Sequence, residues 1–222
     1  MGGRGTYSYS GSSNNSASSK PLSAYAVASL NKGVAKGTTY EQAIERFREQ
    51  LMTKKVEYSA YIDDNGYAHA LGSIGEEGAT KIASPSVIAK EKGVSTVIHN
   101  HPYGGSDGRF WGGTFSEADL SYISATYNKS NGGINKIIAT SKEGTYTATV
   151  KKRISGKQIQ ATHRKAEQAI KGKKFQSEKA MWKALNTSLT KEFGKIGINI
   201  KFNEQTSKKK KLVTQKIGTY PA

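Results

Sequence analysis

Two histidines one residue apart, then a serine and an aspartate three residues apart, are the side chains best placed to do chemistry. The histidines stand in His99-Asn100-His101-Pro102, and the other pair in Ser116-Glu117-Ala118-Asp119, beyond a glycine-rich stretch. Apolar Val94, Val97 and Ile98 lead into the first group and predict a buried strand. Residues two apart on a strand point to the same side, so both imidazoles face one space. Pro102 has no N–H to donate and ends the strand. Ser116 opens a helical pattern, and a spacing of three sets Ser116 and Asp119 on one helical face. Two imidazoles and a carboxylate, with a fourth position left for water, form the ligand set of an open catalytic zinc site. Zn2+ is therefore the expected cofactor, held by His99, His101 and Asp119. A serine followed three residues later by an acid is also an ordinary helix N-cap. That reading leaves the two histidines on one strand face unexplained.

Composition narrows the alternatives. The 222 residues include no cysteine, so there is no disulfide frame, no thiolate-bound zinc and no thiol nucleophile. Any metal must use histidine and carboxylate. No run of 18 apolar residues and no charged-then-apolar leader is present, so neither a membrane span nor a secretory leader is expected. A cytoplasmic protein is the expectation. The net charge of +17 is unevenly spread: residues 1–150 carry 15 Lys+Arg against 13 Asp+Glu, residues 151–222 carry 19 against 4.

Several elements must position the site. Residues 1–22, mostly Gly, Ser, Asn and Tyr, have little to bury and are expected to be disordered. Thr38-Thr39-Tyr40-Glu41 is a capping box, with Ala43, Ile44, Phe47 and Leu51 following at helical spacing. From Lys55 to Ile62 the sequence alternates, Asp63-Asp64-Asn65-Gly66 reads as a hairpin turn, and Tyr67 to Leu71 returns as a strand. Ser84-Pro85 starts a helix that Gly93 closes, and the histidine strand follows as a parallel crossover. The Ser116 helix precedes a hairpin, Ile134 to Thr140 and Thr145 to Val150, turning at Lys142-Glu143-Gly144. Beyond it lie a basic helix from Gln158 to Lys171, a helix from Ser177 stopped by Gly194, and a strand alternating through Ile196, Ile198, Ile200 and Phe202. The fold class is α/β, a mixed sheet flanked by helices.

The H-x-H-P and S-x-x-D pair resembles the JAB/MPN metalloenzyme family, whose JAMM motif adds an upstream glutamate. His-Asn-His-Pro, with glycines close behind at 104 and 105, looks most like its RadC-type and phage or bacterial branches. One difference is the loop of thirteen residues, 103–115, where the family usually has about six. The resemblance covers roughly residues 41–150. It implies a JAB/MPN-like metallohydrolase domain at 38–150, and the change of charge beyond it sets 151–222 apart as a basic, mainly helical C-terminal extension. It implies Glu57 as proton acceptor, with Glu76 and Glu77 as alternatives, and Ser116 as the group that steadies the oxyanion. The substrate it implies is an amide or isopeptide bond in a protein or peptide, as in enzymes that remove ubiquitin-like modifiers. Glu57 also fits a solvent-facing strand position.

Two other readings stand beside the hydrolase. The basic C-terminal segment, which includes Lys208-Lys209-Lys210-Lys211, suits nucleic acid or an acidic partner on electrostatic grounds. The Gly- and Ser-rich opening with Arg4 resembles the Gly/Arg/Ser starts of some phage minor head proteins, which implies a head or assembly component.

Overall fold

The computed structural model describes residues 40–51, 56–63, 68–72, 84–90, 93–102 and 113–205. The expected N-terminal tail, the hairpin turn at 64–66, Glu76 and Glu77, most of the 103–115 loop and Lys208 to Lys211 lie outside them.

Eleven elements are described: α1 (Tyr40–Leu51), β1 (Ser59–Asp63), β2 (Ala68–Gly72), α2 (Pro85–Ile88), β3 (Val94–Asn100), α3 (Glu117–Lys129), β4 (Lys136–Thr140), β5 (Gly144–Val150), α4 (Gly156–Gln168), α5 (Glu178–Ile196) and β6 (Ile198–Glu204). The strands form one six-stranded mixed sheet in the order β2-β1-β3-β4-β5-β6. Its one parallel neighbour pair is β3–β4, with Val97 beside Ile137 and His99 beside Ala139. A parallel pair needs a crossover, and α3 supplies it.

Alternation along the strands sorts their side chains into two layers. Ala60, Ile62, Ile98 and Ile138 pack on one face with Phe47 and Leu51 of α1. Val97, Ile137, Ala139, Tyr146, Ala148 and Val150 pack on the other, against Leu120 and Ile123 of α3 and residues of α4 and α5. His99 follows Val97 by two residues and so belongs to the second face. The architecture is a sheet with helices on both sides.

The boundary expected at residue 150 is not the edge of the fold. Strand β6 pairs with β5 along its length, from Val150 with Ile198 to Gly144 with Glu204. Ile154, Ile159, Leu189, Phe193, Ile198 and Ile200 enter the same core as the histidine strand. The jump in charge misled because it belongs to the exposed side chains, whereas the apolar residues between them keep core spacing. The expected helix stop at Gly194 is likewise corrected. The chain stays helical to Ile196, and Gly197 ends it at φ +97, a conformation that favours glycine. Gly194 is only a weak point inside the helix.

A chain cut after Val150 is therefore expected to lose cooperative folding. Each of the six large side chains named above contributes about 1.5–3 kcal/mol on burial, together comparable to a domain's whole stability of about 5–15 kcal/mol. A sharp thermal melt of residues 1–150, followed by circular dichroism, would contradict this.

Candidate metal centre

The site lies at the carboxyl end of the parallel strands, the usual place for ligands in such sheets, where α3 begins. His99 is in β3 and His101 just past its end, and both are buried. Their rings lie edge to face with centroids 4.7 Å apart and Nε2 atoms 2.9 Å apart. Asp119, in the first turn of α3, places Oδ1 3.2 Å from His99 Nε2 and Oδ2 3.7 Å from His101 Nε2.

These three side chains could hold a metal ion, since one donor atom of each lies within 4.8 Å of the others. Donors about 2.0–2.1 Å from a tetrahedral zinc stand roughly 3.3–3.4 Å apart. The separations of 2.9 Å between the imidazoles, 3.2 Å from His99 to Oδ1 and 3.7 Å from His101 to Oδ2 lie near that value. The donor set fits a small divalent cation with only slight adjustment.

The cap reading of Ser116-x-x-Asp119 holds, and it leaves Asp119 placed where it could also serve as a ligand. Ser116 N–H and Oγ–H donate to Asp119 Oδ2 at 2.7 and 2.8 Å, and Asp119 N–H donates back to Ser116 Oγ at 3.2 Å. This capping box satisfies the open N–H groups at the start of α3. It also fixes the carboxylate so that Oδ1 turns to His99. Burial pushes the Asp119 carboxyl up, but the charges and hydrogen bonds of His99 and His101 outweigh it and hold it well below the usual carboxylate range. Asp119 is thus an anion across the working pH range.

His101 is oriented from behind. Its Nδ1 lies 2.8 Å from the Gly113 carbonyl, which can only accept, so Nδ1 carries the proton. In the neutral ring Nε2 then presents its lone pair to the site. Gly113 N–H in turn donates to Glu143 Oε1 at 2.7 Å, and Tyr146 donates to the same oxygen at 3.3 Å. The next residues are held by the C-terminal helices: Thr114 Oγ1 donates to Asn186 Oδ1 at 2.9 Å, and Phe115 is buried in the core.

Glu57 is buried just before β1. Ser59 pairs with His99, and the Asn100 N–H donates to the Tyr58 carbonyl at 3.2 Å, so the antiparallel register carries back to set Glu57 across from His101. Residues opposite each other share a face, and Tyr58 packs in the other layer. Glu57 thereby falls on the histidine face, and its burial corrects the solvent-facing reading. Asn100 holds that stretch in place. Its Oδ1 accepts from Tyr58 N–H at 2.6 Å and its Nδ2 donates to the Val56 carbonyl at 3.1 Å, gripping the backbone on both sides of Glu57.

Sequence reasoning missed Asn100, Gly113, Glu143 and Asn186. Asn100 read as a spacer between the histidines and Glu143 as a turn residue. Only the fold brings residue 143 to residue 113, or 186 to 114. No family model matches the chain, and no curated protein or solved structure matches it.

The full chain is expected to bind about one zinc ion, and His101→Ala or Asp119→Ala to abolish binding by calorimetry. Glu143→Ala should weaken it by about 10–100-fold, the usual effect of losing an outer support. Binding should fall on acidification because protonated imidazoles cannot ligate. Unchanged affinity in His101→Ala and Asp119→Ala would contradict the ligand set.

Proposed function

We propose that the protein is a zinc-dependent hydrolase of amide or isopeptide bonds, of the JAB/MPN type. The observation that carries this reading is the buried meeting of His99, His101 and Asp119 beside Ser116. Zinc there would supply Lewis acidity, polarising a carbonyl and bringing the ionisation of water near neutral pH.

The chain's own residues divide the remaining work. Glu57 takes the proton of the attacking water and returns it to the leaving amine, a task for a carboxylate placed on the ligand face. Its burial beside apolar packing limits competing water. Ser116 Oγ, 2.8 Å from Asp119 Oδ2, turns its hydrogen from that carboxylate to the oxyanion as charge develops. The serine still caps α3 through its lone pair, so the exchange does not unravel the helix. Asn100 keeps the strand carrying Glu57 in register with the histidines. A protein or peptide substrate, such as a conjugate of a ubiquitin-like modifier, is the class this arrangement suits.

Glu57→Gln is expected to keep zinc and lose hydrolysis of a modifier–lysine linkage, because only the proton carrier changes. Ser116→Ala should cut the rate about 100- to 1,000-fold, the usual effect of removing an oxyanion donor. Asn100→Ala should retain zinc and lower kcat more than it raises KM. Full activity in Glu57→Gln would remove that residue from the chemistry.

A further inference from the structure

Every acidic side chain from residue 151 to 205 already has a neighbour. Glu192 pairs with Lys165 at 3.1 Å and Lys195 at 2.6 Å, and Glu204 with Lys179 at 2.6 Å and Lys183 at 2.9 Å. Glu178 accepts from Trp182 Nε1 at 3.0 Å, and Glu167 lies 3.5 Å from His163 Nδ1. Against these 4 acids the same span holds 14 Lys+Arg, so many cations are left uncompensated.

Three of them form a row. Lys157, Arg164 and Lys171 are exposed and, among the described residues, face no carboxylate. They occupy positions i, i+7 and i+14 of one continuous helical path. Helix α4 runs Gly156–Gln168, and Lys171 N–H still donates to the Glu167 carbonyl at 3.1 Å before Gly172 ends the path at φ +76. Seven residues advance about 10 Å along a helix and drift only about 20° around it. The row therefore lies on one side, opposite the buried stripe of Ile159, His163 and Ala166. Gln160, Ala161 and Gln168 lie on the exposed face between the cations, and Glu167, at the border of that face beside Arg164 and Lys171, is drawn to His163.

Helix stability does not account for this placement. Lys157 sits in the first turn, the end at which the helix dipole disfavours a cation, and no acid stands there. The face also lacks what other partners need. It carries no aromatic or large apolar anchor, as the core of a protein interface would, and no apolar residue to enter a bilayer. Lysine, arginine and glutamine donors are sufficient for phosphate oxygens.

We propose that this face of α4 binds the phosphate backbone of nucleic acid without sequence preference. Steps of about 10 Å match roughly three phosphates at 3.4 Å of axial rise per strand. The inference stands apart from the hydrolase reading, and neither needs the other.

Fluorescence anisotropy of the full chain with a labelled 20-base-pair DNA, over a salt series starting at about 50 mM, tests it. The variant Lys157→Gln/Arg164→Gln/Lys171→Gln is expected to lose about tenfold or more in affinity at the lowest salt. Its slope of log K against log salt should become shallower by about 2–3, since each phosphate contact contributes about 0.9. Arg164→Gln alone should lower the slope by about one and serves if the triple variant melts abnormally. Lys208→Gln/Lys209→Gln/Lys210→Gln should bind more tightly than the triple variant. The proposal is overturned if the full chain does not bind at about 50 mM salt, or if the α4 variants keep the parent slope. It is also overturned if only the Lys208–Lys210 variant loses binding, or if polyglutamate displaces the DNA at equal charge concentration, which would point to an acidic protein instead.

Discussion

The centre of the molecule depends on two imidazole nitrogens held 2.9 Å apart in a buried space. With the His101 Nδ1 proton committed to the Gly113 carbonyl, its Nε2 offers a lone pair. Two lone pairs at that distance repel, so either His99 carries its proton on Nε2 and donates it to His101, or a metal ion takes both lone pairs. The Asp119 carboxylate adds negative charge on the same side, at 3.2 Å from His99. Such a cluster would be unfavourable if it stayed metal-free and fully deprotonated. It makes physical sense as a place where positive charge is bound.

The fold spends its most rigid parts on keeping those nitrogens there. His99 stands on the strand that β1 and β4 flank within the sheet and His101 just past its end, and the carboxylate comes from a helix end pinned by its own capping box. The segment entering that helix is tied at Gly113 by Glu143, at Thr114 by Asn186, and at Phe115 by burial in the core. Two of those ties reach across, to the β4–β5 turn and to α5. The C-terminal segment is thus part of the support of the site, while the outward side of α4 remains free for a separate task. No helix among the described residues is long and apolar enough to cross a membrane.

Much of the site was legible in the sequence because it depends on local spacing. Alternation on a strand put His99 and His101 on one side, and a three-residue step put Ser116 and Asp119 on one helical face. What remained hidden depends on long-range pairing. The grip of Asn100 on residues 56 and 58 spans more than forty positions, and the path from Glu143 through Gly113 to His101 needs the hairpin to fold back on the loop. The alternation of Ile198 and Ile200 was visible, yet charge composition suggested an appendage where the chain places an edge strand of the same sheet. Helix ends were read through glycine alone, which chose Gly194 over Gly197. Only the backbone conformation at Gly197 separates them.

A cation bound between His99, His101 and Asp119 is the claim on which the chemistry depends. Zinc K-edge X-ray absorption of the full chain, loaded with one equivalent of zinc, tests it most directly. Backscattering from two imidazole rings, with nitrogen and oxygen donors at about 2.0–2.1 Å, is the expected result, and His99→Ala should remove one ring's contribution. A zinc shell with no imidazole signal, or the same spectrum in His99→Ala, would contradict it.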